Sequence, residues 1–532
     1  MASALANHAP VLLMLCPLFA AVFCALLGMR WKSVCVPITL LGIGGALYFA
    51  LEVFFQVRSI DTHQLSYFLG GWNAVDAPRG VGIEYRVDLL NSLVLLVIPG
   101  VGLLVALFSR EFVPVETPKK EVQYYTLFLL LITGLMGMTI TADAFNLYVL
   151  LEVSSLTGYA LIAMGSPRAT VSAFQYLIIG TVGASFYLLG VGYLYIKTGS
   201  LNMIGIHDIL MEQGLHGSPA IYVAFIMIFA GVWVKLAFFP LFSWLPNAYS
   251  QAPTTTGCVV APLMTKVSVY IMIRVMLTIF GPDYVYGELA WSGPMVWLAV
   301  IAILVGSIVA FEQTDLKRML TYLIIAEVGY MVGGAWLLAP GGLARAESLN
   351  AMAPGLVGTS YHIISDAAMT LCLFMAASAM IRKAGSSKIE DMHGLFSKCP
   401  ITMGCFVIGA LGMIGVPPTC GFFSKWYLIS GAFAAGRWEF AGALLISSLF
   451  NAVLFFRVIE YTFFGKLQKK AGAHGEAHHA EPEGTKVEEN PFSMLLPMLL
   501  AAAALFAIGL YNKEIAIYLE LFLKTVAMGG PS

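Results

Sequence analysis

The chain alternates long apolar runs with short polar connections. A helix that crosses a bilayer needs about 20 mostly apolar residues, and about fourteen segments meet that length. They run roughly 9–28, 34–55, 88–109, 123–141, 144–164, 170–197, 219–240, 254–280, 294–313, 316–339, 356–382, 400–430, 438–464 and 492–511, and are numbered one to fourteen below. Several exceed the minimum span, which leaves room for tilt or for a break. The expected fold class is all-α integral membrane.

Composition agrees with that pattern. Of 532 residues, 59% are hydrophobic and 11% charged, against about 45–50% and about 25% in ordinary soluble domains. The mean hydropathy is +0.84. A net charge of −1 offers no basic surface for nucleic acid. The eight cysteines are scattered without CxxC spacing. They read as small buried hydrophobes, with no disulfide framework and no metal site. The first run follows no basic stretch, so it reads as a retained helix rather than a cleaved signal.

Lysine and arginine in the loops set orientation. With the N-terminus outside, loops holding Arg30, Lys32, Arg110, Lys119, Lys120, Arg168, Lys317 and Arg318, with those after 382 and 465, face inward. They carry about twice the basic residues of the outer segments. Both termini are therefore expected on the outer side of a prokaryotic inner (plasma) membrane. The stretch 200–215 is too short and polar to span and is placed at the outer interface. The loop 466–490 is polar and mixed in charge, with His474, His478 and His479. It reads as a solvated cytoplasmic loop. The tail after 511 is amphipathic and is expected to lie on the membrane or on a partner.

Against this background some residues stand out. An ionisable group at the bilayer centre costs about 2.5–3.5 kcal/mol on insertion scales. Yet Glu152 lies in segment five, Lys235 in seven, Lys266 in eight, Glu327 in ten, His362 and Asp366 in eleven, and Lys425 in twelve. His362 and Asp366, four residues apart, share one helical face. A single such residue can be a structural ion pair or a snorkelling chain. Three lysines in three apolar segments are too costly to be incidental. Burial and a neighbouring carboxylate push lysine protonation in opposite directions, so a buried lysine can act as a switch where arginine cannot. Asp143, Asp88 and Glu52 lie near segment ends, where interfacial solvation accounts for them.

Prolines cluster beside two of these lysines. Pro240, Pro246 and Pro253 follow Lys235, and Pro417 and Pro418 precede Lys425. Proline removes a helical hydrogen bond, and in lipid such a break is tolerated only where it is buried or lines a cavity. Paired interrupted helices in two halves of a chain point to a transport site. Breaks in segments seven and twelve fit two five-helix units, four to eight and nine to thirteen. Units of odd number start on opposite sides and are therefore inverted. The expected domains are a three-helix segment 1–110, repeats 120–282 and 292–465, the loop 466–490, and a last span with its tail, 491–532.

The runs TADAFNLYVLLEVSSLTGYALI, VKLAFFPLFSWLPNAYSQAPT, PLMTKVSVYIMIR and GVPPTCGFFSKWYLI resemble the antiporter-like membrane subunits. These are found in respiratory complex I, in membrane-bound hydrogenases and in Mrp-type cation/proton antiporters. The resemblance spans roughly 85–465 and is greatest to the D-type component of the Mrp antiporters, since Lys425 stands where one complex I subunit carries glutamate. It implies fourteen helices with two inverted repeats and broken helices seven and twelve. It also implies that Glu152 pairs with Lys235, that Lys266 is central, and that Lys425 ends the path. The sequence departs from the family at Phe242, Asn247 and Tyr249. It departs again at Thr370, where several members carry lysine, and at Glu327, where complex I relatives often carry histidine.

The expected function is proton translocation within a multisubunit membrane complex, with protons as cargo and Na+ as a candidate second ion. The chain has no nucleotide, haem or iron–sulfur motif, so no cofactor of its own is expected, and any redox centre lies on a partner. Two assemblies fit: a sodium/proton antiporter, and an ion-pumping module driven by a dehydrogenase or hydrogenase. A self-contained solute transporter is a further alternative, as is a scaffold that has lost transport.

Overall fold

In lipid a chain must satisfy its own peptide groups, and an apolar run does so as a helix. The computed structural model describes residues 6–71, 82–289, 291–337, 346–471 and 487–527. Among these, twelve helices are long and apolar enough to cross a membrane. They include Ala9–Gly28, Leu89–Ser109, Ala144–Ala163, Pro167–Thr198, Pro219–Leu236 and Phe492–Leu510. Two of the fourteen sequence segments fall outside that set. Segment ten folds as Leu316–Ala335, whose Lys317, Arg318 and Glu327 dilute its apolar character. Segment twelve is two helices, Pro400–Ile414 and Cys420–Ala434, each too short to span alone. The three histidines of the 466–490 loop lie outside the described residues.

Both proline clusters sit at real breaks. The Pro219–Leu236 helix ends on Ala237, in the left-handed region at φ 55°. Pro240 lies in the turn that follows, and Pro246 lies in the first turn of the next helix, Trp244–Gln251, where its missing N–H is tolerated. The Trp244 indole Nε1 donates to the Val234 carbonyl at 3.0 Å, occupying one of the acceptors the break exposes. In segment twelve the helix ends on Gly415 at φ 93°, a conformation glycine adopts without steric cost. Pro417 and Pro418 fill the gap before Cys420.

The segment-eight helix, Thr254–Arg274 with a π-helical extension Val275–Ile279, is buried throughout, and Pro354–Ala384 of segment eleven is buried over most of its length. The two pack against each other. They form the centre of the molecule, ringed by helices that face outward on at least one side. Lys266, His362 and Asp366 on these two helices are therefore inside protein.

One element departs from an all-α reading. Strands β1 (Leu65–Phe68) and β2 (Glu84–Val87) pair antiparallel, Leu65 opposite Val87 and Phe68 opposite Glu84. Strands this short between two long apolar runs leave little periodic signal. They hold the connection between the second and third segments against the loop before Asp143, through a bridge from Tyr85 to Thr141. The 200–215 stretch forms the short helix Met203–Glu212. The tail forms Asn512–Ala527, whose Tyr518 hydroxyl meets Ser92 Oγ at 2.9 Å.

Candidate functional site

The seven ionisable residues singled out from the sequence form three groups. In the first, Lys235 is 5% exposed. Its ammonium donates to Ser155 Oγ at 2.8 Å and to Tyr159 Oη at 3.1 Å. Glu152, Ser155 and Tyr159 lie three and four residues apart, so they share one face of segment five. Glu152 is near enough to act on the Lys235 charge, but the contact expected from the resemblance is not a direct ion pair, and its Oε1 is buried without a hydrogen-bond partner. Both hydroxyls are bonded to the ammonium, on the helical face that carries Glu152. Gly180, on segment six, opens the space: a Cβ there would overlap the Tyr159 hydroxyl and come within 3.4 Å of Lys235 Nζ.

The second group sits at the centre. Lys266 Nζ lies 2.9 Å from Asp366 Oδ2, with both side chains almost fully buried. The ammonium also reaches the Ala261 carbonyl at 3.1 Å and Thr370 Oγ1 at 3.4 Å. The Thr370 hydroxyl in turn donates to Asp366 Oδ1 at 2.7 Å. Thr370 thus orients the carboxylate where several family members place a lysine. Beside this pair, Glu327 Oε2 lies 2.7 Å from His362 Nε2, both side chains fully buried. The other ring nitrogen, Nδ1, lies 2.9 Å from Ser424 Oγ, and Ser424 donates its hydrogen to the Gly421 carbonyl at 3.0 Å. A hydroxyl has one hydrogen to give. With that hydrogen on Gly421, Nδ1 carries the donor proton and Nε2 is the nitrogen that shares a proton with Glu327.

One ligand atom each from Glu327, His362 and Asp366 lies within 4.8 Å of the others. A metal ion could bridge such a set. Here, however, His362 Nε2 is already taken by Glu327 and Asp366 by Lys266, and a cationic lysine beside the set opposes a second cation. The His362 and Asp366 positions on one helical face therefore do what the spacing implies. Asp366 meets Lys266 and His362 meets Glu327, which sets the two buried pairs side by side.

The third group is Lys425, 5% exposed. Its ammonium donates to the Met413 carbonyl at 2.7 Å, to Ile414 at 3.3 Å and to Ser448 Oγ at 3.0 Å. These are the last carbonyls of the broken helix, which carry partial negative charge. The ring of Tyr330 lies 5.2 Å away, and Glu327 and Asp366 are near enough to act on the charge. Ser155, Tyr159, Ser424 and Ser448 were not singled out from the sequence. Ser155 and Tyr159 carry one signal, a spacing of three and seven residues from Glu152, and Ser424 another, its place directly beside Lys425; Ser448, 23 residues from Lys425, carries none.

A further ionic pair corrects an expectation. Asp88 is buried, not solvated at an interface: Arg274 reaches both of its carboxylate oxygens at 2.6 Å. Asp88 also caps the segment-three helix, accepting from the Leu90 and Asn91 amides. Burial raises the Asp88 carboxyl, but the Arg274 guanidinium and these hydrogen bonds outweigh it and hold the group below the usual carboxylate range.

A family profile described as NADH:quinone oxidoreductase/Mrp antiporter, TM, matches residues 141–451. The N component of the NADH-quinone oxidoreductase of Desulforudis audaxviator is 40% identical over 516 residues, 96% of this chain and 97% of that one. The D component of the Na(+)/H(+) antiporter of Bacillus subtilis is 29% identical over 399 residues, 75% of this chain and 76% of the relative. Among solved structures, a chain of the membrane-bound sulfane sulfur reductase, an archaeal respiratory membrane complex, superposes with a TM-score of 0.83. It has 27% identity over 98% of this chain and 99% of that one.

Proposed function

Because the chain belongs to the NADH:quinone oxidoreductase/Mrp antiporter transmembrane family, we propose that it translocates protons as one subunit of a multisubunit membrane complex. Protonation passes from Lys235 to Lys266, on through Asp366, Glu327 and His362, and ends at Lys425. Glu152 sets the charge state of Lys235 through Ser155 and Tyr159. The observation that carries this reading is two buried contacts side by side, Lys266–Asp366 at 2.9 Å and Glu327–His362 at 2.7 Å, with one side-chain N or O atom each of Asp366, Glu327 and His362 within 4.8 Å of the others. Groups that exchange protons are useful as relays only at such distances.

The breaks at Ala237 and Gly415 support two inverted five-helix repeats, 120–282 and 292–465, within fourteen crossings. The preponderance of basic residues in alternate loops supports both termini on the outer side of a prokaryotic plasma membrane. Two assemblies remain as readings of the same path. Lys425 favours a sodium/proton antiporter of the Mrp type. The 40% identity to an oxidoreductase component against 29% to an antiporter component favours a redox-driven complex with its electron donor on a partner. Isolating the intact complex and identifying its subunits separates the two: small antiporter subunits support the first, iron–sulfur or hydrogenase subunits the second. The path itself is tested by Glu152→Ala and Lys235→Ala. Each is expected to abolish proton transport while leaving the chain assembled. Normal transport in either variant removes the mechanism.

A further inference from the structure

The Asp88–Arg274 pair takes no part in the path above, yet its arginine lies on the same helix as the central lysine. Lys266, Tyr270 and Arg274 are spaced four residues apart, so they form one line up a single face of a buried helix. The line ends at the side of the molecule that carries the β-hairpin. At its end Arg274 Nε donates to Tyr270 Oη at 2.7 Å, and the Tyr270 hydroxyl donates to the Thr139 carbonyl at 2.8 Å. The tyrosine's one hydrogen is thus turned away from Lys266 and its oxygen is occupied by the guanidinium. In this arrangement it can neither take a proton from the lysine nor give one to it.

Three further observations meet at the same place. A cavity of about 20 Å³ lies among Arg86, Asp88, Thr141, Tyr270, Arg274 and Thr278, enough for one water molecule. The helix changes from α to π directly after Arg274, at Val275–Ile279, a form that recurs at functional sites within helices. The guanidinium is covered on its far side by the ring of Phe522, 5.4 Å away, from the C-terminal helix. Arginine does not release its proton under physiological conditions, so Arg274 is not a carrier. A fixed positive charge across a narrow polar passage excludes protons and cations.

We propose that Asp88 and Arg274 form a closed door between Lys266 and the hairpin side of the protein, with Tyr270 as the hydroxyl that completes the passage when the door opens. Opening means that Arg274 leaves Tyr270 and Asp88. The hydroxyl then turns to Lys266, and water in the cavity continues the path past Thr278. This rests on Lys266 being a proton station. In the closed state the pair prevents the centre of the chain from leaking protons to that side. Asp88 and Arg274 are gating residues, and Tyr270 is the only one of the three that touches the transferred proton.

The test uses membrane vesicles containing the intact complex, with an imposed pH gradient, no driving substrate, and a pH-sensitive dye. Asp88→Asn combined with Arg274→Gln removes both charges, keeps the shape of the aspartate side chain and leaves a polar side chain at 274. The gradient is expected to decay several-fold faster than with the unmodified chain, and addition of Lys266→Ala is expected to return decay to the unmodified rate. Unchanged decay in the double variant, or fast decay that persists with Lys266→Ala, overturns the proposal. Tyr270→Phe provides a second arm should the double variant fail to accumulate. It keeps the ring and the ion pair, and is expected to lower driven transport at least tenfold with passive decay unchanged. Full transport by Tyr270→Phe overturns the proposal. Lys235→Ala, measured in parallel, reports on the proton-transport reading alone, so failure of that reading is seen separately.

Discussion

Replacing Asp366 by asparagine removes the negative partner of Lys266 and almost nothing else. The amide keeps an oxygen for Thr370 and fits the same space. At the 2.9 Å separation of the pair, Coulomb attraction in an effective dielectric of about 20 is worth about 6 kcal/mol. Desolvation offsets part of this, and loss of one partner of a buried pair costs about 3–5 kcal/mol in practice. Since about 1.4 kcal/mol is a tenfold change, the charged lysine loses at least about a hundredfold of its support. Proton transport by the intact complex, read as the initial rate of gradient formation in inverted vesicles, is expected to fall by about that factor. Thermal stability of the solubilised complex should fall as well. A second variant separates the two effects. Lys266→Met with Asp366→Leu replaces the pair with apolar side chains of similar size, a change that is often neutral or stabilising. This double variant is expected to regain stability and to remain without transport. Transport by the stable double variant would refute the assignment of this pair as a proton station.

Gly180→Ala pushes a methyl group into the Tyr159 hydroxyl; it is expected to cost about 1–3 kcal/mol of stability and to reduce transport as Lys235→Ala does, while alanine at nearby Gly192, which meets open space, leaves transport unchanged. Ala237→Gly relieves an alanine held at φ 55° and is expected to shift the melting temperature of the complex little, since relief of about 1–2 kcal/mol is offset by glycine's greater freedom in the unfolded chain. Gly415→Ala, at φ 93° with Lys425 Cδ 3.2 Å from the new methyl, adds a close contact to the left-handed strain, which together outweigh the reduced freedom of the unfolded chain, and is expected to lower both melting temperature and transport. Because Asp88 is held below its unfolded value, its stabilising contribution is present above about pH 4. That contribution is lost as acid titrates the folded group at still lower pH. Asp88→Asn with Arg274→Gln should flatten this part of the acid denaturation curve, and an unchanged curve would contradict the assignment.

Much of this was legible in the sequence because membrane helices are written as long runs. The charges that break those runs are conspicuous for the same physical reason that makes them expensive. The breaks at Ala237 and Gly415 were visible through the prolines that follow them. What the sequence concealed was partnership. Nothing in the runs says that Asp366 turns to Lys266 while His362, one turn away on the same face, turns to Glu327. That depends on which helices flank segment eleven. Ser155 and Tyr159 escaped notice because hydroxyls in apolar helices usually satisfy themselves on the preceding turn, as Thr157 does on Val153 at 2.7 Å. Asp88 was misjudged because its position near a segment end suggested solvent. Folding brings Arg274 from 186 residues away, and the Phe522 ring lies against its guanidinium. The hairpin itself left no periodic trace.

The most direct test of the account is proton movement by the intact complex in closed liposomes, with Lys266→Ala compared against the unmodified chain. Lys266 joins the two halves of the proposed path and sits on the most buried helix. The unmodified complex is expected to build a pH gradient when driven, and Lys266→Ala to assemble in equal amount and build none. A gradient of unmodified size and rate from assembled Lys266→Ala would contradict it.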